Sequence, residues 1–217
     1  MATANQLLTI ARKQLGICEN PPGSNNVRYN TWYYGREVMG SAYPWCMVFV
    51  QWVFAQAGVK LPVRTASCNA LMNAAKAAGC WVTAGFKPGD VVIYDFPGGA
   101  ATDHCGIVET ELPDYGVQAV EGNTSQSGSQ SNGGMVCRKN RPGKYIVGAV
   151  RPVFDKEKEE DDMVIYKTLN DVPSWYKAAV QKAMDKDALK GTSGKEINVS
   201  EDLCRTLTVL DRLGKLD

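Results

Sequence analysis

Tyr43-Pro44-Trp45-Cys46-Met47-Val48-Phe49-Val50-Gln51-Trp52 is the stretch whose reading decides the fold. A Pro-Trp pair leads into an apolar run with two stripes at helical spacing, Trp45/Val48/Phe49/Trp52 and Cys46/Val50/Val53/Phe54/Ala57. A helix that is apolar all round is buried. The pattern predicts a central helix from Cys46 to about Ala57, stopped by Gly58, with a thiol in its first turn. Unpaired amides and the macrodipole at a helix start favour a thiolate there.

Upstream, Leu7, Leu8, Ile10, Ala11 and Leu15 predict a helix over roughly residues 3–16, ended by Gly16. Residues 19–44 read as loop-rich, with an aromatic cluster of Tyr29, Trp32, Tyr33 and Tyr34. Downstream, a third helix is expected over about 66–78. After Lys87-Pro88-Gly89-Asp90 come short β-rich runs at 90–96, 104–111, 116–121, 135–139 and 145–151. Helices first and strands after give an α+β domain, with N-terminal helices packed on an antiparallel sheet. The polar stretch 123–134 reads as a long hairpin connection, or as a mobile rim over a substrate groove.

The 217 residues suffice for one ordinary domain and a small module. With 44% hydrophobic and 22% charged residues, the composition is that of a soluble globular protein. A net charge of +1 supplies no strong field for nucleic acid. Residues 1–154 hold 13 Lys+Arg against 9 Asp+Glu, giving +4, and residues 155–217 hold 11 against 14, giving −3. A mildly basic front module suits an anionic polymer. The charge run Asp155–Asp162 is expected to be a solvated linker, dividing a catalytic domain at 1–154 from a small helical module at 163–217. In that module Val172, Trp175, Tyr176, Ala179, Val180 and Ala183 share one helical face. Ser200 can cap a second helix, with Leu203, Leu207, Leu210 and Leu213 inward. The N-terminus has no basic and apolar regions of a signal peptide, so synthesis in a cytoplasm is expected, and no stretch approaches a membrane span.

Chemistry is narrowed by one residue. His104 is the single histidine, which excludes a zinc site built on two or three imidazoles and makes it the histidine base if there is one. The seven cysteines (Cys18, Cys46, Cys68, Cys80, Cys105, Cys137, Cys204) are odd in number and form no C-x-x-C pair, so reduced thiols are expected. Strand neighbours point to opposite faces, which puts Cys105 beneath the sheet with Ile107 and argues against a zinc ligand set. A turn over 112–115 would pair residues whose numbers sum to 227, placing Asn123 opposite His104 and Glu121 one diagonal step away on the same face. Either could orient the imidazole. One phenol of the aromatic cluster could donate to an oxyanion beside the backbone N–H of Cys46. A cysteine at a helix start with a lone histidine on a strand is the arrangement of a papain-like thiol hydrolase.

At Tyr43–Val50, Asp103-His104-Cys105-Gly106-Ile107-Val108 and Glu121-Gly122-Asn123 the chain resembles the cysteine, histidine-dependent amidohydrolase/peptidase (CHAP) family, whose members cut peptidoglycan and are common in bacteriophage endolysins. The likeness spans roughly residues 5–152. It implies Cys46 as nucleophile, His104 as base and Glu121 or Asn123 as the orienting residue. By analogy with NlpC-type peptidases it implies Tyr34 at the oxyanion site, with Tyr33 and Trp45 as further oxyanion or substrate candidates. It implies amide hydrolysis in peptidoglycan, as an N-acetylmuramoyl-L-alanine amidase or alternatively a stem or cross-bridge endopeptidase, acting on the wall after release from a bacterial cytoplasm. Readings of other classes are a non-catalytic wall-binding protein and an intracellular thiol acyltransferase or deamidating enzyme. Some CHAP enzymes bind calcium through an Asp-x-Asp run before the cysteine. Residues 37–48 hold no aspartate, so no metal or cofactor is expected. The tail is similar to a single S-layer homology motif, which implies binding of a secondary cell-wall polymer through Trp175 and Arg205. Leu-Cys-Arg-Thr-Leu departs from that motif's usual Thr-Arg-Ala-Glu, and self-association through the tail is the alternative. No nucleic-acid or membrane partner is expected.

Overall fold

The computed structural model describes residues 2–97, 102–127, 132–155, 164–190 and 196–216. Four helices come first: α1 (Ala4–Arg12), α2 (Arg28–Tyr34), α3 (Cys46–Ala57) and α4 (Cys68–Ala77). Strands β1 (Trp81–Val82), β2 (Val91–Tyr94), β3 (His104–Glu111), β4 (Val117–Thr124), β5 (Met135–Arg141) and β6 (Ile146–Val150) follow. They form one antiparallel sheet in the order β1-β6-β2-β3-β4-β5, so the fold is α+β. The chain divides into two compact units, Met1–Glu157 and Lys158–Asp217. Residues 156–162 of the expected linker and 128–131 of the polar loop lie outside the described residues.

The central helix runs from Cys46 to Ala57 and ends at Gly58, whose φ of 66° is the left-handed cap that favours glycine. It packs against α1, α2, β3 and β4, and Met47, Val48, Phe49, Val50 and Val53 are fully buried. The capping box of α1 (Thr3 with Gln6) and the Ser67 side chain accepting from Ala70 N–H fix the starts of α1 and α4. Residues 19–44 are loop-rich as expected, apart from one short helix. Their aromatic cluster lies on α2, where Tyr29 is buried against Trp45, Phe49 and Trp52. Packing on α3, rather than intrinsic propensity, stabilises this short helix.

The β3–β4 register decides what faces His104. Ile107 pairs with Val120 and Val108 with Ala119, both summing to 227, whereas Thr110 pairs with Gln118 and Glu111 with Val117. The turn is thus one residue longer than expected, and a bulge at Glu109 restores the expected alignment on the side of His104. The Glu109 side chain is buried and held by Arg12 (2.6 Å) and Arg138 (2.5 and 2.9 Å).

The second unit contains β7 (Ile165–Tyr166), α5 (Ser174–Asp185), β8 (Val199–Ser200) and α6 (Glu201–Arg212). β7 pairs with β8, and α5 packs on α6 around Val172, Ala179, Val180, Ala183, Ile197 and Cys204. Ser200 caps α6 by accepting from Leu203 N–H. The inner stripes are narrower than the spacing suggested. Trp175 is 69% exposed, and Cys204, Leu207 and Leu210 face the core while Leu203 and Leu213 do not.

Candidate active site

Cys46 occupies the first turn of α3, His104 is the first residue of β3, and Glu121 stands on the neighbouring β4. All three are buried. His104 Nε2 lies 2.9 Å from Glu121 Oε2, so Glu121 fixes the ring and leaves Nδ1 to exchange a proton with sulfur. Nδ1 is buried and meets no partner at ordinary hydrogen-bond distance, and the Cys46 sulfur is the neighbour that acts on the ring besides Glu121. Catalytic hydrogen bonds are often long before substrate arrives.

Two glycines make room for Glu121. A Cβ on Gly106 would stand 2.7 Å from Glu121 Cγ. A Cβ on Gly122 would stand 2.6 Å from Phe49 Cβ and 2.8 Å from the Trp45 ring, so glycine lets β4 lie against the start of α3. Behind Glu121, Arg141 donates from Nε to Oε1 at 2.8 Å and from Nη2 to Oε2 at 2.5 Å. Its guanidinium lies over Phe96 (4.8 Å) and Tyr94 (5.6 Å), and the same two rings flank His104 at 6.0 and 5.9 Å. A buried row of alternating charge results: Cys46, His104, Glu121, Arg141.

The electrostatics follow from this row. Burial opposes charge on His104, but the Cys46 sulfur and the Glu121 carboxylate outweigh it and raise the ring to about 9. Burial likewise opposes charge on Glu121, and Arg141 and His104 hold it below the usual carboxylate range. Cys46 is pulled well below an ordinary thiol by hydrogen bonds from Cys105 and Cys68, against burial, and by His104. Burial pushes Cys105 well up, and Cys68 is also well raised, mainly by Cys46 and burial, although Cys105 hydrogen-bonds to it. The cluster therefore carries its negative charge on Cys46, with two neutral thiols beside it.

Cys46, His104 and Glu121 come together as the spacing suggested. Asn123 does not share in orienting the ring. It sits in a β4–β5 irregularity with φ 56°, its Oδ1 accepts from Gly134 N–H at 3.4 Å, and its buried Nδ2 has no partner. Trp45 is corrected from a substrate candidate to a core anchor: it is fully buried and its Nε1 donates to Glu19 at 2.7 Å. Tyr34 packs edge-on against Tyr33 and Tyr43, and Tyr33 lies under Arg64. These contacts tie Tyr34 to Tyr33 and Tyr43, and Tyr33 to Arg64. In the second unit Arg205 is engaged by Tyr176 Oη (3.2 Å) and Glu201 (2.8 Å), beside the exposed Trp175.

Sequence reasoning missed Arg141, Cys68 and Cys105. A buried glutamate demands a cationic partner beyond a histidine, and that demand was the available signal for Arg141. No spacing links the starts of α3 and α4, so Cys68 was hidden. Cys105 does lie with Ile107 as expected, but its sulfur, with those of Cys46 and Cys68, falls in a group whose members are all within 4.8 Å of one another. Among the described residues this is the convergent set of three or more potential metal donors. Calcium takes oxygen ligands, so a thiol set does not fit the calcium that some CHAP enzymes bind.

The model of the CHAP domain family matches residues 38–123, which contain Cys46, His104, Glu121 and Asn123. No curated protein matches the chain. Among solved structures, that of Ly7917 shares 20% identity at a TM-score of 0.40, covering 70% of this chain and 62% of that one. The wild-type endolysin LysIME-EF1 shares 17% at 0.39, covering 71% and 66%. The chain thus spans less than two thirds of the length of either.

Proposed function

We propose that this chain, with a CHAP domain match at residues 38–123, is a cysteine-dependent peptidoglycan hydrolase. The observation that carries the reading is the 2.9 Å contact of His104 Nε2 with Glu121 beside a thiol at a helix start. The Cys46 thiolate attacks an amide carbonyl, and the oxyanion is met by the backbone N–H of Cys46. Protonated His104 gives the Nδ1 proton to the leaving amine. It then takes a proton from water, and the hydroxide opens the thioester, expelling the Cys46 thiolate beside protonated His104 and freeing a carboxylic acid that gives its proton to solvent. Glu121 keeps the ring in place through both steps, and Arg141 keeps Glu121 charged.

The favoured bond is the N-acetylmuramoyl-L-alanine amide, with a stem or cross-bridge peptide bond as the alternative. Purified Gram-positive walls should lose turbidity, and mass spectrometry of the fragments should show free lactyl carboxylates with new L-alanine amino termini. New termini inside the stem or bridge would select the endopeptidase. Intact walls after prolonged incubation would refute hydrolysis and leave a non-catalytic wall-binding protein.

The second unit is proposed as a wall anchor that acts after release from the cell. Exposed Trp175 supports this reading, because large exposed apolar groups mark contact surfaces. Self-association of the tail is the competing outcome of a wall pull-down combined with light scattering.

A further inference from the structure

The sulfurs of Cys46, Cys68 and Cys105 are mutually within 4.8 Å, all three residues are buried, and none is in a disulfide. They come from the first turn of α3, the first turn of α4 and the second residue of β3. Zinc–thiolate bonds are about 2.3 Å, so three sulfurs on one ion stand roughly 4 Å apart, and closing this cluster needs at most about 1 Å. A disulfide needs sulfurs about 2.05 Å apart and would demand a much larger movement. Soft sulfur donors select d10 cations over calcium or magnesium. Cys46, at the start of α3, supplies the anionic sulfur that a metal requires. His104, with a buried Nδ1 that meets no partner at ordinary hydrogen-bond distance, offers a nitrogen of the right kind next to Cys46.

We propose that Cys46, Cys68 and Cys105 form a site for one thiophilic cation of the zinc class, which occupies the nucleophile and reversibly blocks it. On binding, the ion replaces the protons of Cys68 and Cys105, which are released to solvent, and no redox change occurs. The ion's bond to Cys46 takes the electron pair that would attack the amide. Inhibition rests on the nucleophile assigned above, whereas binding does not.

The test uses the full chain, reduced and stripped with a chelator. Cadmium titration is followed by the thiolate-to-metal charge-transfer absorbance, and X-ray absorption of the zinc-loaded protein counts the sulfurs. We expect one ion per chain and three sulfurs at about 2.3 Å. Cys68→Ser and Cys105→Ser should each weaken cadmium binding at least roughly tenfold, while Cys18→Ser, at an exposed thiol, should not. Zinc should suppress lysis, a chelator should restore it, and each variant with zinc is compared with its own metal-free rate. A sulfur count of one, or unchanged affinity in both variants, overturns the site. Where a variant fails to fold, the wild-type sulfur count decides alone. Three sulfurs without wall cleavage would uphold the site and refute the hydrolase. Zinc-insensitive lysis with one sulfur would do the reverse.

Discussion

Replacing Arg141 with leucine strands a charge. The Glu121 carboxylate is fully buried, Arg141 donates to both of its oxygens, and His104 is its other ionic partner. Removing one member of a buried pair costs about 3–5 kcal/mol, because the remaining charge keeps its desolvation penalty. At about 2–4 °C per kcal/mol for a chain of this size, Arg141→Leu should melt about 6–20 °C below the parent. Tryptophan fluorescence reads the relevant unit, since Trp32, Trp45, Trp52 and Trp81 lie within Met1–Glu157. The deficit should depend on pH. A carboxylate held below its unfolded value contributes stability that is present above that value, about 4.3, and is lost as pH falls through the folded one. The gap between parent and variant should therefore be widest near neutrality and narrow on acidification. Adding Glu121→Gln removes the stranded charge, and the double variant should recover at least about 1 kcal/mol relative to additivity. A loss under about 1 kcal/mol at pH 7, or strict additivity, would refute the reasoning that Arg141 neutralises Glu121.

Cys46→Ala and Cys46→Ser should abolish wall lysis without loss of the fold by circular dichroism, and iodoacetamide at neutral pH should alkylate Cys46 first in native protein. Labelling spread evenly over the cysteines would contradict a thiolate at Cys46. The pH profile of kcat/KM should be bell-shaped, rising on the acid side as the thiolate–imidazolium pair forms and falling as His104 loses its proton near about 9. A profile flat up to pH 10.5 would remove the imidazolium from the mechanism. Gly122→Ala brings a Cβ within 2.6 Å of Phe49 and 2.8 Å of Trp45, and should cost about 1–3 kcal/mol in a melt together with much of the activity. A chain cut after Glu157 should stay folded and cleave soluble fragments at the parental rate while losing activity on intact walls; equal loss on both substrates would count against an anchoring tail.

Helices with a strong apolar pattern were legible: α3 was readable to the residue because its stripes and Gly58 agree. α2 was not, because Val27 at its N-cap makes no side-chain capping bond and its helicity is owed to Tyr29 packing on α3. That His104 faces Glu121 and Asn123 was legible because strand register follows turn length, although here two one-residue offsets cancel; which of the two holds the ring was not. Arg141 pairs with Val117, a full four residues from Glu121 along β4, and only the length of its side chain closes that gap. Convergence of Cys68 on Cys46 depends on how two helices are placed in space, and local patterning carries no record of that. Trp45 misled because an aromatic beside a nucleophile looks like a substrate platform, whereas its indole N–H is taken by Glu19.

The bulge at Glu109 divides the β3–β4 hairpin into two mechanical segments. Inward of it, alignment is pinned by Arg12 from α1 and Arg138 from β5. Outward of it, Glu111 accepts from Phe86 N–H and Val117 pairs with Arg141 of β5, so the tip at 112–116 is tied to its neighbours. A change of length in the tip would therefore reach Arg141, and through it Glu121, before it disturbed the clamped alignment at His104. The tip is thus a poor grafting point: a foreign loop inserted there would load the arginine that holds Glu121, while the chain on the far side of the clamp stayed in place.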